Sequence, residues 1–192
     1  MAHRHGGPMP RSTDMSSINQ NQPEHNHDDL AGPQAVDKIR ELVGKAQTCF
    51  FCTKVMVTGS SGARPMNVRK VDDNGSLWFL SAIDSHLNRE LARDPSAHLY
   101  FQASPHSGFL HLNGKARVTQ DAVKIHELWE PIIKTWFTQG EQDPRITVIE
   151  VIPTEGYYWD VKHGNLVAGI KMIIGAAIGE TLDDSIEGAI RL

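Results

Sequence analysis

From residue 48 to residue 119 the chain is cut into short aromatic and β-branched runs by turn-forming clusters, and this limits it to hairpin-connected strands. Thr48–Val57 (TCFFCTKVMV) stops at the cluster TGSSGA, Arg64–Val71 stops at Asp72-Asp73-Asn74-Gly75, and Leu77–Ser81 follows at once. An Asn-Gly pair between two apolar runs is a strong hairpin signal, because a tight two-residue turn needs positive φ at its centre. The expectation is a three-strand meander over 48–81. Further strands are expected at about His98–Ala103 and Phe109–Thr119, with Gly114 as a bulge in the longer one. Ile146–Ile152 alternates as a half-buried strand, Gly156–Val161 is expected to pair behind it, and the closing EGAIRL reads as a last strand.

Helical periodicity is confined to four places. Val36, Ile39, Leu42 and Val43 share one face, with Pro33 suited to the start and Gly44 to the end. A short helix is expected at about Ser85–Arg93, before Asp94-Pro95. Apolar positions 125, 128, 129, 132, 133, 136 and 137 fit a helix, which Pro131 divides into two short ones by opening the second. A last apolar helix is expected at about Leu166–Gly179. With no βαβ rhythm and no repeat, the fold class is mainly β, α+β in bookkeeping: a small antiparallel barrel with peripheral helices.

Residues 1–33 are different in kind. They hold four of the ten histidines (His3, His5, His25, His27), four of the ten prolines and no aromatic residue, a composition that buries too little apolar surface to order itself. They are expected to be a disordered His/Asn/Gln-rich tail, and 34–192 the folded domain. The remaining length is enough for one domain with a real core. The net charge of −4 argues against a nucleic-acid binder. The longest apolar run, Leu166–Ile178, contains Lys171 and is too short to cross a membrane. The N-terminal residues show no apolar signal region, and two cysteines build no disulfide scaffold, so the expected location is the cytoplasm.

Most catalytic signatures are missing: there is no P-loop, no dinucleotide fingerprint, no paired zinc histidines and no nucleophile elbow. Cys49 and Cys52 have the spacing of a redox pair, but on a strand they point to opposite faces, so core cysteines are expected. Two features are more informative. Arg64-Pro65-Met66-Asn67-Val68-Arg69-Lys70 is a strand with three cations. Simple alternation puts Arg64 and Lys70 on one face and Arg69 on the other, and arginine forks suit phosphate. The four tryptophans, at 78, 129, 136 and 159, supply flat surface for a core, an interface or a planar ligand.

Taken together, these segments resemble the FMN-binding split barrels related to pyridoxamine 5′-phosphate oxidase, and within them the bacterial general stress proteins. The resemblance runs from about Val36 to Leu192. It is carried by Arg64-Pro65-Met66, by Asn74-Gly75 through Trp78-Phe79-Leu80-Ser81, and by Gly114-Lys115-Ala116 with Asp121. It continues through Leu128-Trp129-Glu130-Pro131, Trp136-Phe137, Gly140 with Asp143-Pro144, Tyr157-Tyr158-Trp159-Asp160 and Gly179…Glu187-Gly188…Leu192.

The resemblance implies a homodimer holding FMN at the subunit interface. The strand from Arg64 and Pro65 to Arg69 would run beside the flavin, with backbone groups of Met66, Asn67 and Val68 at the pyrimidine edge. Arg64 or Arg69 would reach the phosphate. Leu80 and Ser81 would close the strand end, Ser81 as a hydroxyl ligand, and Ser85 would open the helix that receives the phosphate. Phe109 and Leu110 of the other subunit, with Trp129 and Trp159, would border the ring. At the helix start this chain reads Ser85-His86-Leu87, with leucine where the family supplies a phosphate lysine. One charge-assisted hydrogen bond is then lost, worth about 1.5–3 kcal/mol, unless His86 or Arg89 replaces it. The Arg-x-His pair of true pyridoxamine phosphate oxidases is absent after Trp159, where the chain reads Val161-Lys162-His163-Gly164.

The function expected from the resemblance is therefore a flavin-binding protein of general stress type, with an oxidoreductase of unknown substrate as its enzymatic form. The alternatives are a non-catalytic flavin or stress protein, a split barrel binding haem or a deazaflavin, and a barrel that has kept the dimer and lost the ligand. For haem, the candidate ligands are His86, His98, His106 and His111.

Overall fold

Helix α1 (Pro33–Ala46) opens on a proline, whose missing N–H would be unpaired in the first turn in any case, and it buries Ala35, Val36, Ile39, Leu42 and Val43. It runs through Gly44. The helix ends instead at Gln47, which adopts a left-handed conformation (φ 58°) and donates its N–H to Val43 O. The computed structural model describes residues 25–163 and 184–192. The expected helix at 166–179 lies outside these residues, as do His3 and His5.

The strands form one mixed, unclosed sheet of nine. Strand β2 (Thr48–Thr53) lies between β3 (Ala63–Asn67) and β6 (Ser96–Gln102). The sheet continues antiparallel through β7 (Phe109–Thr119), β8 (Ile146–Val161) and β9 (Ser185–Arg191), and β1 (Leu30–Ala31) adds to β9 in parallel. Strand β4 (Lys70–Val71) pairs with β5 (Leu77–Ala82), and β5 returns to β8. This is the α+β split-barrel architecture expected from the sequence. Phe51, Phe79, Leu99, Leu110, Leu112, Ile149 and Tyr158 fill the main core, with the α1 stripe packed on them.

Four expectations about the elements are corrected. The stretch 64–71 is two strands, broken at Val68 and Arg69. Val68 N–H donates to Gln47 O, beside β2, while the next N–H, from Arg69, donates to Trp78 O of β5. The meander does not form, because β3 and β5 never pair. Thr53 N–H donates to Gly62 O, so antiparallel alternation turns residues 62, 64, 66 and 68 toward β2 and leaves Ala63, Pro65 and Asn67 facing away. Pro65 has no N–H to give a strand on that side.

The segments 146–152 and 156–161 are a single strand of 16 residues, not a pair. Pro153 is accommodated because the register with β7 shifts between Asn113 and Gly114; the extra residue is Thr154 of β8, so the bulge expected in β7 at Gly114 falls on the facing strand instead. A side chain at Gly114 would meet Ile152 O at 2.5 Å. Helix α3 (Ala122–Leu128) begins at Asp121, whose carboxylate accepts from Val123 and Lys124 N–H, and the turn that Pro131 opens (Pro131–Thr135) is a 3₁₀ helix. The apolar period is not kept through it, so Ile132 and Trp136 are exposed while Ile133 and Phe137 join a second core with Trp78 and Ile146.

Order also begins ahead of Pro33. Asn26 is buried, Asp28 N–H donates to Glu187 O, and Tyr158 Oη donates to Asp28 O. The 26–31 segment thus belongs to the domain. The short helix α2 (His86–Leu91), capped by Ser85, and the Asp72–Ser76 turn, with Gly75 at φ 86°, are as expected. Cys49 is buried and Cys52 half-buried; burial pushes the Cys49 thiol up to about 12, and burial also raises that of Cys52. Neither is a poised thiolate. Among the described residues, no helix is long and apolar enough to cross a membrane.

A Cβ on Gly188 would stand 1.8 Å from Asp28 O. Gly188→Ala is therefore expected to detach the 26–31 segment from β9 and to lower stability by about 2 kcal/mol or more. Urea unfolding and amide exchange at Asp28 and Glu187 check this.

Candidate functional site: a cleft in the split of the sheet

The divergence of β3 from β5 leaves two strand edges facing each other without a ladder. On β3, alternation turns the N–H and C=O of Asn67 and the C=O of Pro65 into the gap. On β5, Ile83 N–H donates to Arg145 O and Trp78 O accepts from Arg69, so Leu80 presents its N–H and C=O to the same gap. The space between is a cavity of about 480 Å³. It is lined by Pro65, Met66, Asn67 and Arg69 on one side, Leu80, Ser81 and Ala82 on the other, and Ile133, Trp136, Phe137 and Arg145 at the mouth. It falls within the size range of cofactor sites, mostly apolar with a few fixed polar groups.

Two arginines frame it. Arg69 donates from Nη1 to Asn67 Oδ1 at 2.8 Å, and its Nη2 lies 2.6 Å from Glu130 Oε1 in an ion contact without hydrogen-bond alignment. Its Nε is buried and has no partner. Arg145 clasps buried Asp143 with Nε and Nη2, at 3.0 and 2.7 Å. These hydrogen bonds hold the Asp143 carboxyl down to about 2. Ser81 Oγ is 3.0 Å from Ser85 Oγ, which in turn accepts from Asn88 N–H as the cap of α2.

Arg64 lies elsewhere. Its Nη2 sits 2.7 Å from Oε2 of fully buried Glu90 and 3.0 Å from Ser60 Oγ. Thr53 Oγ1 and Val57 N–H also donate to Glu90, tying down the loop between β2 and β3. Burial acts to raise the Glu90 pKa, but hydrogen bonds from Ser60, Thr53, Arg64 and Val57 outweigh it and bring it to about 2. Arg64 Nη1 is buried without a partner.

A second cavity, of about 640 Å³, opens on the outer face of the sheet. Its walls include Phe50, Pro65, Tyr100, Phe109, Leu110, His111 and Trp159. Cross-strand register lines up Pro65, Phe50, Tyr100, His111 and Tyr157 in one row. The Tyr100 and His111 rings stack at 4.5 Å, and Tyr157 and Trp159 lie at 4.7 Å. Phe50, Tyr100 and Trp159 are respectively 60%, 47% and 41% exposed, far more than an aromatic surface normally shows water.

Of the residues singled out in the sequence, Pro65, Met66, Asn67, Arg69, Leu80 and Ser81 meet in the cleft, and Phe109, Leu110 and Trp159 meet at the second cavity. Pro65 lines both. Six do not line either. The N–H groups of Val68 and, by alternation, Met66 turn toward β2, so Asn67 alone offers its backbone from that stretch. Arg64 is held by Glu90, Ser85 caps α2, and exposed His86 stands beside Gly59. Leu87 is buried in the main core, because α2 turns positions 87, 88, 90 and 91 inward. Its side chain packs with that core and does not line the cleft. Trp129 packs on the second core.

Sequence reasoning missed Ile133, Trp136, Phe137 and Arg145 as cleft residues. Trp136 breaks the apolar stripe by being exposed, a signal visible only once Pro131 makes a 3₁₀ turn. Of the four candidate haem ligands, His111 alone lines a described cavity, where its ring is stacked on Tyr100; His98 Nδ1 is engaged by Asn113 Oδ1 at 2.6 Å.

A family model described as "Pyridoxamine 5′-phosphate oxidase like" matches residues 34–183. None of the curated proteins matches the sequence. Among solved structures, the chain is similar to a provisionally assigned general stress protein 26 from Jannaschia sp. CCS1. That match has TM-score 0.68 and 20% identity, and covers 81% of this chain and 97% of that one. It is also similar to the general stress FMN/FAD binding protein from Xanthomonas citri, with TM-score 0.58, 21% identity, and 70% and 94% coverage. A third similar structure is a protein related to general stress protein 26 (pyridoxinephosphate oxidase family) from Clostridium acetobutylicum, with TM-score 0.54, 20% identity, and 67% and 90% coverage. At these identities the likeness is one of fold.

Breaking the Arg64–Glu90 pair leaves a buried guanidinium without its counter-ion, so Glu90→Gln is expected to cost about 3 kcal/mol. Because the folded-state pKa of Glu90 is depressed, its stabilisation is complete above the ordinary carboxylate value and is lost as pH falls toward about 2. Urea unfolding of both proteins should therefore show the gap at pH 7 and a narrowing gap at pH 3.

Proposed function

Since the chain belongs to the pyridoxamine 5′-phosphate oxidase-like family, we propose that it binds flavin mononucleotide in the cleft between β3 and β5, as a homodimer. The observation that carries this reading is the pair of open backbone edges. Asn67 and Leu80 each offer one donor and one acceptor to an apolar slot, which complements the alternating carbonyls and N–H of a flavin pyrimidine. Met66, Ile133, Trp136 and Phe137 supply flat apolar surface for the ring, and the buried, unpartnered Nε of Arg69 offers charge for an anionic group. The similarity in fold to the Xanthomonas FMN/FAD binding protein supports the same reading.

When bound, the flavin supplies redox chemistry; the chain positions it and shields it from water. Arg64 enters this reading as the residue that fixes the 54–62 loop through Glu90, with its buried Nη1 left without a partner. The absence of an Arg-x-His pair after Trp159 separates the reading from vitamin B6 phosphate oxidation, and the substrate of an oxidoreductase form is left unassigned.

The homodimer is supported by the exposed aromatic row. Phe50, Tyr100 and Trp159 with Phe109 form a face that a second copy would cover, adjoining the cleft at Pro65.

Fluorescence titration with FMN tests the site. Asn67→Pro deletes the N–H that faces the cleft together with the side chain, leaving the β2 ladder intact, and is expected to weaken binding about tenfold, whereas Asn67→Ala loses the side chain alone, keeps the backbone donor and binds nearly as wild type. Equal affinity for the two variants, or no saturable binding by the wild type, overturns it. For the dimer, Tyr100→Glu places a charge in the aromatic row; sedimentation is expected to show a dimer for wild type and a monomer for the variant.

A further inference from the structure

On the outer face of the sheet, cross-strand register sets two rows of side chains next to each other. One runs through Phe50, Tyr100, His111 and Tyr157, and its neighbour through Cys52, His98, Asn113, Glu155 and Arg191. His111 joins the two. Its ring stacks on Tyr100 at 4.5 Å and lies parallel to that of His98 at 6.1 Å. It also lines the outer cavity with Phe50, Phe109 and Trp159, so a titratable imidazole stands within the apolar face assigned to a second copy of the chain.

The surroundings of this half-buried ring favour its neutral form. An imidazolium carries N–H on both nitrogens, and His111 Nε2 is buried with no hydrogen-bond partner. Burial lowers the His111 pKa and the charge of His98 lowers it further, against the opposing pull of Asn113 and Glu155. The other groups facing the ring do not supply a counter-ion. From β6, His98 engages Asn113 Oδ1 through Nδ1 at 2.6 Å. From β8, Glu155 accepts from Asn113 Nδ2 at 3.1 Å and lies opposite Arg191 of β9. Tyr157, also on β8, donates to Glu187 of β9 at 3.1 Å, and burial together with the Glu187 and Asp29 carboxylates pushes its phenol up to about 12. From β2, Cys52 faces His98 as a thiol whose pKa burial raises.

A second copy seated on this face removes water from the ring. In a two-fold dimer the same residue is covered on both subunits, so association expels up to two protons and dissociation takes them up. We propose that His111 is a pH-sensitive lock on the interface between two copies of this chain, closed while the imidazole is neutral and released when it is protonated. The lock rests on the homodimer reading. Because covering His111 lowers its pKa below the value in the separate chain, the dimer holds fully above the ordinary imidazole value of 6.5 and weakens as pH falls below it.

Sedimentation of the full chain over a concentration series, at pH 7.5 and pH 5.5, tests the lock. The dimer dissociation constant of the wild type is expected to rise about tenfold or more at pH 5.5, to recover on return to pH 7.5, and to leave the near-ultraviolet dichroism unchanged. His111→Phe and His111→Gln keep a ring or a polar group there without a titrating proton, and each is expected to hold the same constant within about twofold at both pH values. His98→Gln should retain most of the wild-type shift. A wild type that is monomeric at pH 7.5 overturns the homodimer reading and the lock with it. A dimer of equal strength at both pH values, a shift that survives both His111 substitutions, or dissociation accompanied by loss of the dichroism overturns the lock alone.

Discussion

The segment from Ala63 to Val71 cannot serve one neighbour along its whole length, and the rest of the architecture follows from that constraint. Its first half is paired with β2 and its second half with β5, with the exchange made by two consecutive N–H groups: Val68 to Gln47 O, Arg69 to Trp78 O. Pro65 lies where the first half would otherwise continue toward β5 and has no donor to offer there. The sheet is thereby held open at one seam while β8, bulged opposite Gly114, spans both sides and keeps the two parts in one core.

An open seam is normally a hazard, because unpaired strand edges invite pairing with other chains. Here the seam is narrow, roofed by Trp136 and Phe137, and flanked by arginines already held by carboxylates. An edge covered in this way is kept from pairing with another strand. The Arg64–Glu90 cluster behind it is buried, and it fixes the loop that leads into β3. The conspicuous cation of the strand thus acts through the loop it anchors, while the less conspicuous Arg69 faces the cleft.

Local signals carried much of this. Asn74-Gly75 marked its turn, Pro131 its second short helix, and the Val36–Val43 stripe its buried face, because each depends on residues close in sequence. Cleft residues Pro65, Met66, Asn67, Arg69, Leu80 and Ser81 were likewise identified, by resemblance in motif and not by periodicity. The break at Val68–Arg69 was not legible, since it is decided by which neighbours accept each N–H. Nor was the unity of β8: Pro153 and Gly156 look like a turn until the register shift on β7 supplies a place for them. Leu87 looked like a missing ligand because its direction depends on how α2 is seated, and α2 turns it into the core.

By itself the sequence determined the kinds of elements, the main turns, the apolar positions and the family, since these rest on short-range backbone preferences and on motifs of fixed order. Tertiary structure decided which arginine faces the cleft, which backbone groups are left unpaired, and that Trp136, Phe137 and Arg145 close the mouth. Those outcomes depend on long-range strand register and helix seating, where a single residue's shift exchanges the buried side for the exposed one.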